Sequence, residues 1–145
     1  MTALRFDVLT LFPSMFDGIL SESILARAIA SGKIEVEFTD PREFTTDRHR
    51  SVDDKPFGGG PGMVLLAEPI FLAVEEADSK SDVPEERTRR ILLSPQGRPL
   101  EQADLRGLAE AERIVLLCGH YEGYDERIRE GLGFEELSIG DYVLT

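Results

Sequence analysis

The sequence predicts an α/β fold with a mostly parallel sheet and helices on both faces. Strand-like and helix-like patterns alternate along its 145 residues in the order β-α-β-loop-α-β-α-β-α-β, which is typical of parallel strands joined by helices. Two short runs, Arg90–Ser94 and Arg113–Cys118, are almost wholly apolar, as expected of strands that are buried on both faces. A chain of this length is expected to form one domain around one hydrophobic core.

The first third of the chain is predicted to hold two strands around one helix. Leu4–Phe12 alternates and is rich in residues that favour strands. Ser14 is a plausible N-cap for a helix with apolar residues at helical spacing, running to about Ala30. Gly32 provides its C-terminal stop, and Lys33–Thr39 alternates polar and apolar residues, which predicts the second strand.

The middle of the chain combines a long loop with one helix. Residues 40–62 are polar, have no periodic apolar face and end in a glycine-rich run. A loop of this length in a compact chain is usually functional or mobile. Glu68 and Pro69 open a helix, with proline at its first position. The apolar face of this helix is formed by Ile70, Phe71 and Val74. Asp78–Arg87 is predicted to be a flexible acidic connection.

The last third carries the two apolar strands and the elements that follow them. A turn at Pro95–Gly97 is predicted after the first of these strands, and an amphipathic helix over Glu101–Glu112 before the second. Tyr124–Gly131 is predicted to be a short helix. Phe134–Ile139 then leads into a last strand or turn.

The charge of the chain is large but uneven. The formal net charge is −12, from 28 acidic residues and 16 lysines and arginines, which at first sight disfavours nucleic acid because phosphate contacts need basic side chains. Residues 42–67, however, carry as many basic as acidic side chains, and residues 87–100 carry arginines and no acid. The acidic residues fall mainly in predicted outer helices and the linker, where they aid solubility. The net charge therefore does not exclude an RNA substrate.

Other classes of protein are excluded more firmly. Cys118 is the single cysteine, which rules out an internal disulfide framework and fits a reducing compartment. No apolar run approaches the roughly 20 residues of a membrane span, and no basic-apolar leader precedes the first strand. We therefore expect a cytoplasmic protein that does not bind a membrane.

Three predicted strand ends carry residues suited to a ligand pocket. They are Leu93–Gly97, Cys118–Gly123 and Ser138–Leu144, and each contains glycine. Ligands of open α/β sheets bind outside the carboxyl ends of the strands, and glycine lets a backbone approach a ligand closely. Each segment by itself is more simply explained as a turn, but together they favour a pocket in which backbone groups recognise a planar base.

Several familiar sites can be set aside. The glycine run at residues 58–62 is not followed by the lysine of a phosphate-binding loop, and no G-x-G-x-x-G opens a helix after the first strand. One cysteine and two separated histidines do not give zinc-ligand spacing. Cys118 ends an apolar strand, where thiols are usually inert. His49 and His120 are better explained as loop hydrogen-bonders than as catalytic bases.

The segment from Asp47 to Asp54 interleaves arginines, a histidine and aspartates. Arginine can bind phosphate with two hydrogen bonds, and a carboxylate can read or deprotonate the edge of a base. The simpler alternative is a solvated loop held by local ion pairs. The length of the loop and the adjacent glycine run favour a functional role.

Together these segments resemble the bacterial tRNA (guanine-N1-)-methyltransferase family, from the first strand to the last residue. The segments that carry the resemblance are Pro41–Thr45, Asp47–Arg50, Val52–Asp54, Phe57–Met63, Leu93–Gly97, Cys118–Gly123, Asp125–Arg127 and Ser138–Leu144. The resemblance implies a trefoil-knot methyltransferase domain of the SPOUT class that works as a homodimer. It also implies S-adenosylmethionine as methyl donor and N1 of the guanosine just 3′ of the tRNA anticodon as acceptor.

The resemblance also assigns site residues. It places the cofactor contacts on Leu93, Ser94, Pro95, Gln96, Gly119, Tyr121, Glu122, Gly123, Ile139, Gly140, Asp141, Tyr142, Val143 and Leu144. It places contacts to the guanine or the tRNA backbone on Arg48, His49, Asp53, Gly62 and Glu122.

The resemblance implies further parts beyond Thr145. Residues 1–145 match the N-terminal cofactor-binding domain, incomplete at its C-terminal end, and a helical tRNA-binding domain would follow. The aspartate that acts as general base in the family, and an arginine that assists it, would lie there, so no catalytic residue is assigned here. Most of the segment that threads the knot would lie there too, which leaves knot closure open. A magnesium requirement cannot be placed on residues, because no carboxylate cluster has a distinctive spacing.

Two other functions remain open. The chain can be a binding module that holds an adenosine-type ligand or RNA without chemistry. It can also be a Rossmann-type dehydrogenase or methyltransferase, although the missing glycine fingerprint after the first strand counts against this.

Overall fold

The computed structural model describes residues 2–45, 51–54, 64–119 and 123–142. The strands are β1 (Leu4–Leu9), β2 (Ile34–Thr39), β3 (Asp53–Asp54), β4 (Val64–Leu65), β5 (Thr88–Pro99), β6 (Arg113–Leu117), β7 (Gly123–Tyr124) and β8 (Glu135–Ser138). The helices are α1 (Asp17–Leu20), α2 (Ser23–Ala30), α3 (Ala67–Ser79), α4 (Gln102–Ala109) and α5 (Glu126–Leu132). Short 3₁₀ turns lie at Pro13–Phe16, Pro41–Phe44 and Glu85–Arg87.

The main sheet has five strands, and every neighbouring pair is parallel. Their order is β2-β1-β6-β5-β8. Side chains alternate between the faces of the sheet. One face packs against α3 and α5 through a core that includes Leu9, Val115 and Ile70. The other face carries Ile91 and packs against α4. The predicted α/β class, with helices on both faces, is confirmed.

The first predicted helix is broken. The strand before it ends at Leu9, and a 3₁₀ turn begins at Pro13, so Ser14 does not cap a helix. Both the backbone N–H and the hydroxyl of Ser21 bond to the carbonyl of Gly18, which ends α1, because serine competes for backbone partners. Gly32 stops α2 as predicted, with φ +75°. The N–H of Gly32 donates to the carbonyl of Ile29, and the N–H of Lys33 donates to the carbonyl of Ala28.

The strand β5 is longer and less regular than predicted. It runs to Pro99 rather than ending at Ser94, so the predicted turn at Pro95–Gly97 is wrong. Leu93 and Arg98 both lie opposite Leu137 of β8. Residues 94–97 are therefore an irregular insertion in β5 that has no matching residues on β8. A Cβ atom on Gly97 would lie 2.7 Å from the backbone nitrogen and carbonyl carbon of Leu137. Only glycine allows this approach.

The predicted flexible connection at Asp78–Arg87 is also wrong. Asp78 lies in α3, and its carboxylate accepts hydrogen bonds from Arg90 of β5 and Arg113 of β6. Arg113 also donates from Nε to Asp7 Oδ2 over 2.6 Å. Glu85, in the 3₁₀ turn, binds Arg90. Charge pairs therefore anchor this acidic segment to the sheet.

The structure also bears on the broad class of the protein. Among the described residues, no helix has the length and apolar character needed to cross a membrane.

Candidate functional site

The strand order brings the three predicted segments to one edge of the sheet. β5 lies between β6 and β8, and Leu92 is level with Leu117 of β6 while Leu93 is level with Leu137 of β8. Because the three strands are parallel, their carboxyl ends meet there. Ten predicted cofactor residues lie within the described part of the chain: Leu93, Ser94, Pro95, Gln96, Gly119, Gly123, Ile139, Gly140, Asp141 and Tyr142. Tyr121, Glu122, Val143 and Leu144 lie outside the described residues.

This edge exposes apolar side chains. Leu93, Ile139 and Tyr142 are 42%, 53% and 56% exposed, although each belongs to a class of residue that favours burial. Sites for small organic ligands combine such apolar surface with a few backbone polar groups. The edge therefore combines exposed apolar side chains with the backbone groups of the strand ends.

Two serines shape the backbone at the ends of β5 and β8. The Ser138 hydroxyl donates to the carbonyl oxygen of Gly140 over 2.7 Å and accepts its N–H over 3.1 Å. Ser94 Oγ accepts the N–H of Gln96 over 3.1 Å. These local bonds hold the irregular backbone of β5 after Leu93 and the bend after β8.

The glycines at the edge play different roles. A Cβ on Gly140 would collide with the ring of Tyr142, so this glycine makes room for the aromatic side chain. At Gly119, after β6, no described atom lies within 4 Å of the position that a Cβ would take. Gly119 is therefore not needed for packing against the described residues.

The small sheet places the predicted substrate residue Asp53 two strands away from β7, which begins at the predicted cofactor residue Gly123. β4 lies between β3 and β7. Its residue Leu65 is paired with Asp53 on one side and with Tyr124 on the other. Gly123 precedes this tyrosine and is paired with Val64. The predicted substrate residues Arg48, His49, Gly62 and Glu122 lie outside the described residues.

Sequence reasoning missed one contact at this edge. Tyr124 was predicted to begin a helix, but it lies on β7, and its hydroxyl donates to both carboxylate oxygens of Glu136 on β8, over 2.5 Å and 2.7 Å. Burial, followed by this hydrogen bond to the carboxylate, raises the pKa of Tyr124. The phenol therefore stays protonated and acts as a donor. The two residues are separated in sequence, so no local pattern predicts the pair.

Other candidate groups are weaker. Burial raises the pKa of the Cys118 thiol, so it stays protonated, as expected of an inert cysteine. No group of three metal-ligating side chains occurs in the part of the chain that the structure describes. A cleft of about 440 Å³ next to the N-terminus of α3 is lined by Phe44 and Arg127 among others, and its described lining includes no predicted site residue.

Comparison with known proteins agrees with this geometry. The family model described as "tRNA (Guanine-1)-methyltransferase TrmD" matches residues 4–145. The tRNA (guanine-N(1)-)-methyltransferase of Chloroflexus aurantiacus is 55% identical over 145 residues, covering 98% of this chain and 55% of that protein. The corresponding protein of Geobacillus kaustophilus is 52% identical over 142 residues, covering 98% and 57%.

A solved structure shows the same fold. The crystal structure of tRNA (m1G37) methyltransferase from Aquifex aeolicus matches with a TM-score of 0.84 and 38% identity, covering 99% of this chain and 62% of that one. The chain thus spans little more than half the length of the curated relatives it matches. Fold, motifs and similarity over nearly the whole chain agree, and the chain belongs to the tRNA (guanine-1)-methyltransferase family.

Proposed function

We propose that this chain is the S-adenosylmethionine-binding part of a cytoplasmic enzyme that methylates N1 of the guanosine just 3′ of the anticodon in tRNA. The observation that carries the proposal is the meeting of three glycine-containing strand ends, those of β6, β5 and β8, at one edge in a chain of this family. The methyltransferase family supports the methyl donor, and the relatives' names support tRNA guanine N1 as acceptor.

The residues at this edge fit an adenosine-type cofactor. Leu93, Ile139 and Tyr142 supply exposed apolar surface for the faces of the base and the sugar. The hydroxyls of Ser94 and Ser138 shape the backbone after Leu93 and after β8, and no described atom lies within 4 Å of a Cβ position at Gly119. When bound, the cofactor would supply an electrophilic methyl group on a sulfonium. Holding that group close to the acceptor provides much of the rate of such a displacement.

The acceptor also places demands on the protein. Guanine N1 carries a proton at neutral pH, so a base must remove it, or a donor must stabilise charge that develops on O6. We assign Asp53, together with Arg48, His49, Gly62 and Glu122, to binding the guanine and the tRNA backbone. The general base is expected among residues beyond Thr145.

Calorimetry with S-adenosylhomocysteine tests the cofactor site. Gly119→Val adds a side chain where no described atom would oppose it, so the fold should survive while binding is lost. Gly107→Ala on α4 is the matched control, since its Cβ would meet only Arg89 Nη1, at 3.9 Å. Binding by wild type and by the control, with at least tenfold weaker binding by Gly119→Val, supports the proposal. Failure of the wild-type chain to bind contradicts it.

We also propose that the protein is a homodimer whose contact surface includes α1 and α2. Neither helix has a buried residue, yet Met15, Ile19 and Ile24 are 77%, 62% and 73% exposed. Such a cluster is typical of a protein–protein contact. Light scattering should show that Ile24→Glu shifts the protein towards monomer, whereas Leu72→Glu on α3 does not. A monomeric wild-type protein would contradict this part of the proposal.

A further inference from the structure

The contact between Tyr124 and Glu136 joins two strands that belong to different sheets. β7 pairs with β4 in the small sheet, and β8 pairs with β5 in the main sheet. No ladder connects β7 with β8 within the part of the chain described. The phenol hydroxyl, 2.5 Å and 2.7 Å from the two carboxylate oxygens, therefore links them where backbone hydrogen bonds do not.

The link lies immediately beside two parts of the proposed cofactor site. Tyr124 follows Gly123 directly, and Glu136 stands two residues before Ser138, whose hydroxyl fixes the turn to Gly140. Both members of the pair are half-buried. The tyrosine ring packs against the core formed by α3, α5 and the sheet. One end of the link is thus fixed by the core and the other by the strand that leads into the turn.

The surroundings keep the phenol of Tyr124 protonated. Glu126 and Arg129 of α5 are the other charged groups that act on the phenol, with opposite effects on its pKa. Burial and Glu136 dominate, and both favour the protonated phenol. Hydrogen bonds from a neutral donor to a carboxylate are short and stronger than neutral pairs. The phenol of Tyr124 therefore remains a hydrogen-bond donor at neutral pH.

We propose that Tyr124 and Glu136 are positioning residues that set the separation between Gly123 and the Ser138–Gly140 turn, and thereby preorganise the cofactor pocket. This inference rests on the proposed function. Neither side chain needs to touch the cofactor or the guanine. Their effect comes from fixing two pocket segments before binding, which reduces the cost of ordering them when the ligand arrives.

The chain offers a matched control one residue away. Glu135 is also half-buried, but it points to the opposite face of β8, where it accepts hydrogen bonds from Arg89 Nε and Nη2 over 2.6 Å and 2.8 Å. Glu135→Gln therefore weakens a strong pair on the same strand without touching β7. Comparison of Glu135→Gln with the Tyr124 and Glu136 variants therefore distinguishes a general loss of β8 stability from a specific change in the geometry of the pocket.

Calorimetry with S-adenosylhomocysteine, together with the melting temperature of each variant, provides the test. Tyr124→Phe keeps the ring and removes only the hydroxyl, and it should weaken binding about three- to tenfold, the effect of one net hydrogen bond. Glu136→Ala should weaken binding similarly, and Glu136→Gln should restore part of it because an amide oxygen still accepts. Glu135→Gln should lower the melting temperature while leaving the affinity unchanged. Wild-type affinity in Tyr124→Phe would overturn the inference.

Amide hydrogen exchange of the ligand-free protein gives an independent readout. The N–H of Asp125 donates to the carbonyl of Leu65 over 3.0 Å, so it reports on how firmly β7 is held. Exchange at Gly123, Tyr124 and Asp125 should be faster in Tyr124→Phe and unchanged in Glu135→Gln. If the wild-type chain fails to bind the nucleoside, the proposed function fails. The exchange rates still test whether the hydrogen bond between Tyr124 and Glu136 holds β7 in place. Unchanged exchange in Tyr124→Phe would overturn it.

Discussion

At the scale of single residues, the glycines of this protein differ in what they make possible. Gly97 brings the β5 chain against the backbone of Leu137, where a Cβ would lie 2.7 Å from two main-chain atoms. At Gly140 the obstacle is the ring of Tyr142, a side chain that can rotate. Gly119 faces no described atom. Glycine therefore allows a close backbone approach at Gly97 and room for an aromatic ring at Gly140, whereas Gly119 makes no such contact with the described residues.

Alanine substitutions should rank these three positions by stability. Gly97→Ala forces backbone to move and should cost about 1–3 kcal/mol or more. Gly140→Ala should cost less, because the Tyr142 ring is exposed and can turn away. Gly119→Ala should leave stability close to wild type. Urea denaturation of the three variants measures the order, and equal stability of Gly97→Ala and Gly119→Ala would contradict it.

The raised pKa of Tyr124 predicts a dependence of stability on alkaline pH. The folded protein holds the phenol proton more tightly than the unfolded chain, whose tyrosines titrate near 10. The stabilisation is therefore complete below pH 10 and is lost as the pH rises from there towards the folded-state pKa. Above pH 10, the unfolding free energy of wild type should fall more steeply than that of Tyr124→Phe. Denaturant titrations at several pH values measure this free energy. An equal dependence on pH in the two proteins would contradict the prediction.

At the scale of elements, the sheet is joined to α3 by charge as well as by apolar packing. Asp7 and Arg113 are 1% and 2% exposed, and Arg113 also reaches Asp78 of α3 over 2.8 Å. Arg113 Nη2 is buried without a hydrogen-bond partner in the described structure. A buried pair of this kind is costly to break, because the remaining charge stays out of water.

Removing one partner should therefore destabilise the fold strongly. Asp7→Asn leaves Arg113 without its closest carboxylate and should cost about 3–5 kcal/mol. The double variant Asp7→Leu with Arg113→Met should lose less than the sum of its two single variants. Arg98→Gln, which breaks an exposed pair with Asp104, serves as control and should have a much smaller effect. Urea denaturation of all variants provides the comparison, and additive losses would refute the coupling.

The same elements show how far sequence reasoning reached. The apolar runs at β5 and β6 predicted two central strands correctly, because strands that are buried on both faces consist almost wholly of apolar residues. The detour of residues 94–97 was missed, because it depends on contact with β8 and not on local preference. Asp78 was assigned to a flexible linker because its neighbours are acidic and polar. Its arginine partners lie in distant strands.

For the candidate site, the meeting of the three glycine-containing strand ends at one edge could be predicted, because the carboxyl ends of neighbouring parallel strands lie at the same edge. The pairing of Tyr124 with Glu136 joins two sheets, and no periodicity in the sequence encodes it. Propensity suggested a helix at Tyr124, but pairing with β4 put this residue on a strand.

At the scale of the whole molecule, the chain covers 55% of the Chloroflexus aurantiacus relative. Our proposal that the general base lies beyond Thr145 makes a prediction about activity. In a single-turnover assay with radiolabelled S-adenosylmethionine and unmodified tRNA, residues 1–145 should give little or no transfer. A full-length relative serves as the positive control. Near-normal transfer by the 145-residue chain would show that it carries its own base.

The double alignment of Leu137 with Leu93 and Arg98 also has a kinetic consequence. β8 pairs with a strand about 40 residues earlier in the chain. Such non-local pairing requires loop closure and is slow. We therefore expect this edge of the sheet to be completed late in folding. A ligand that bridges β5 and β8 opposes the departure of β8, so it should prolong the lifetime of the native state by slowing unfolding.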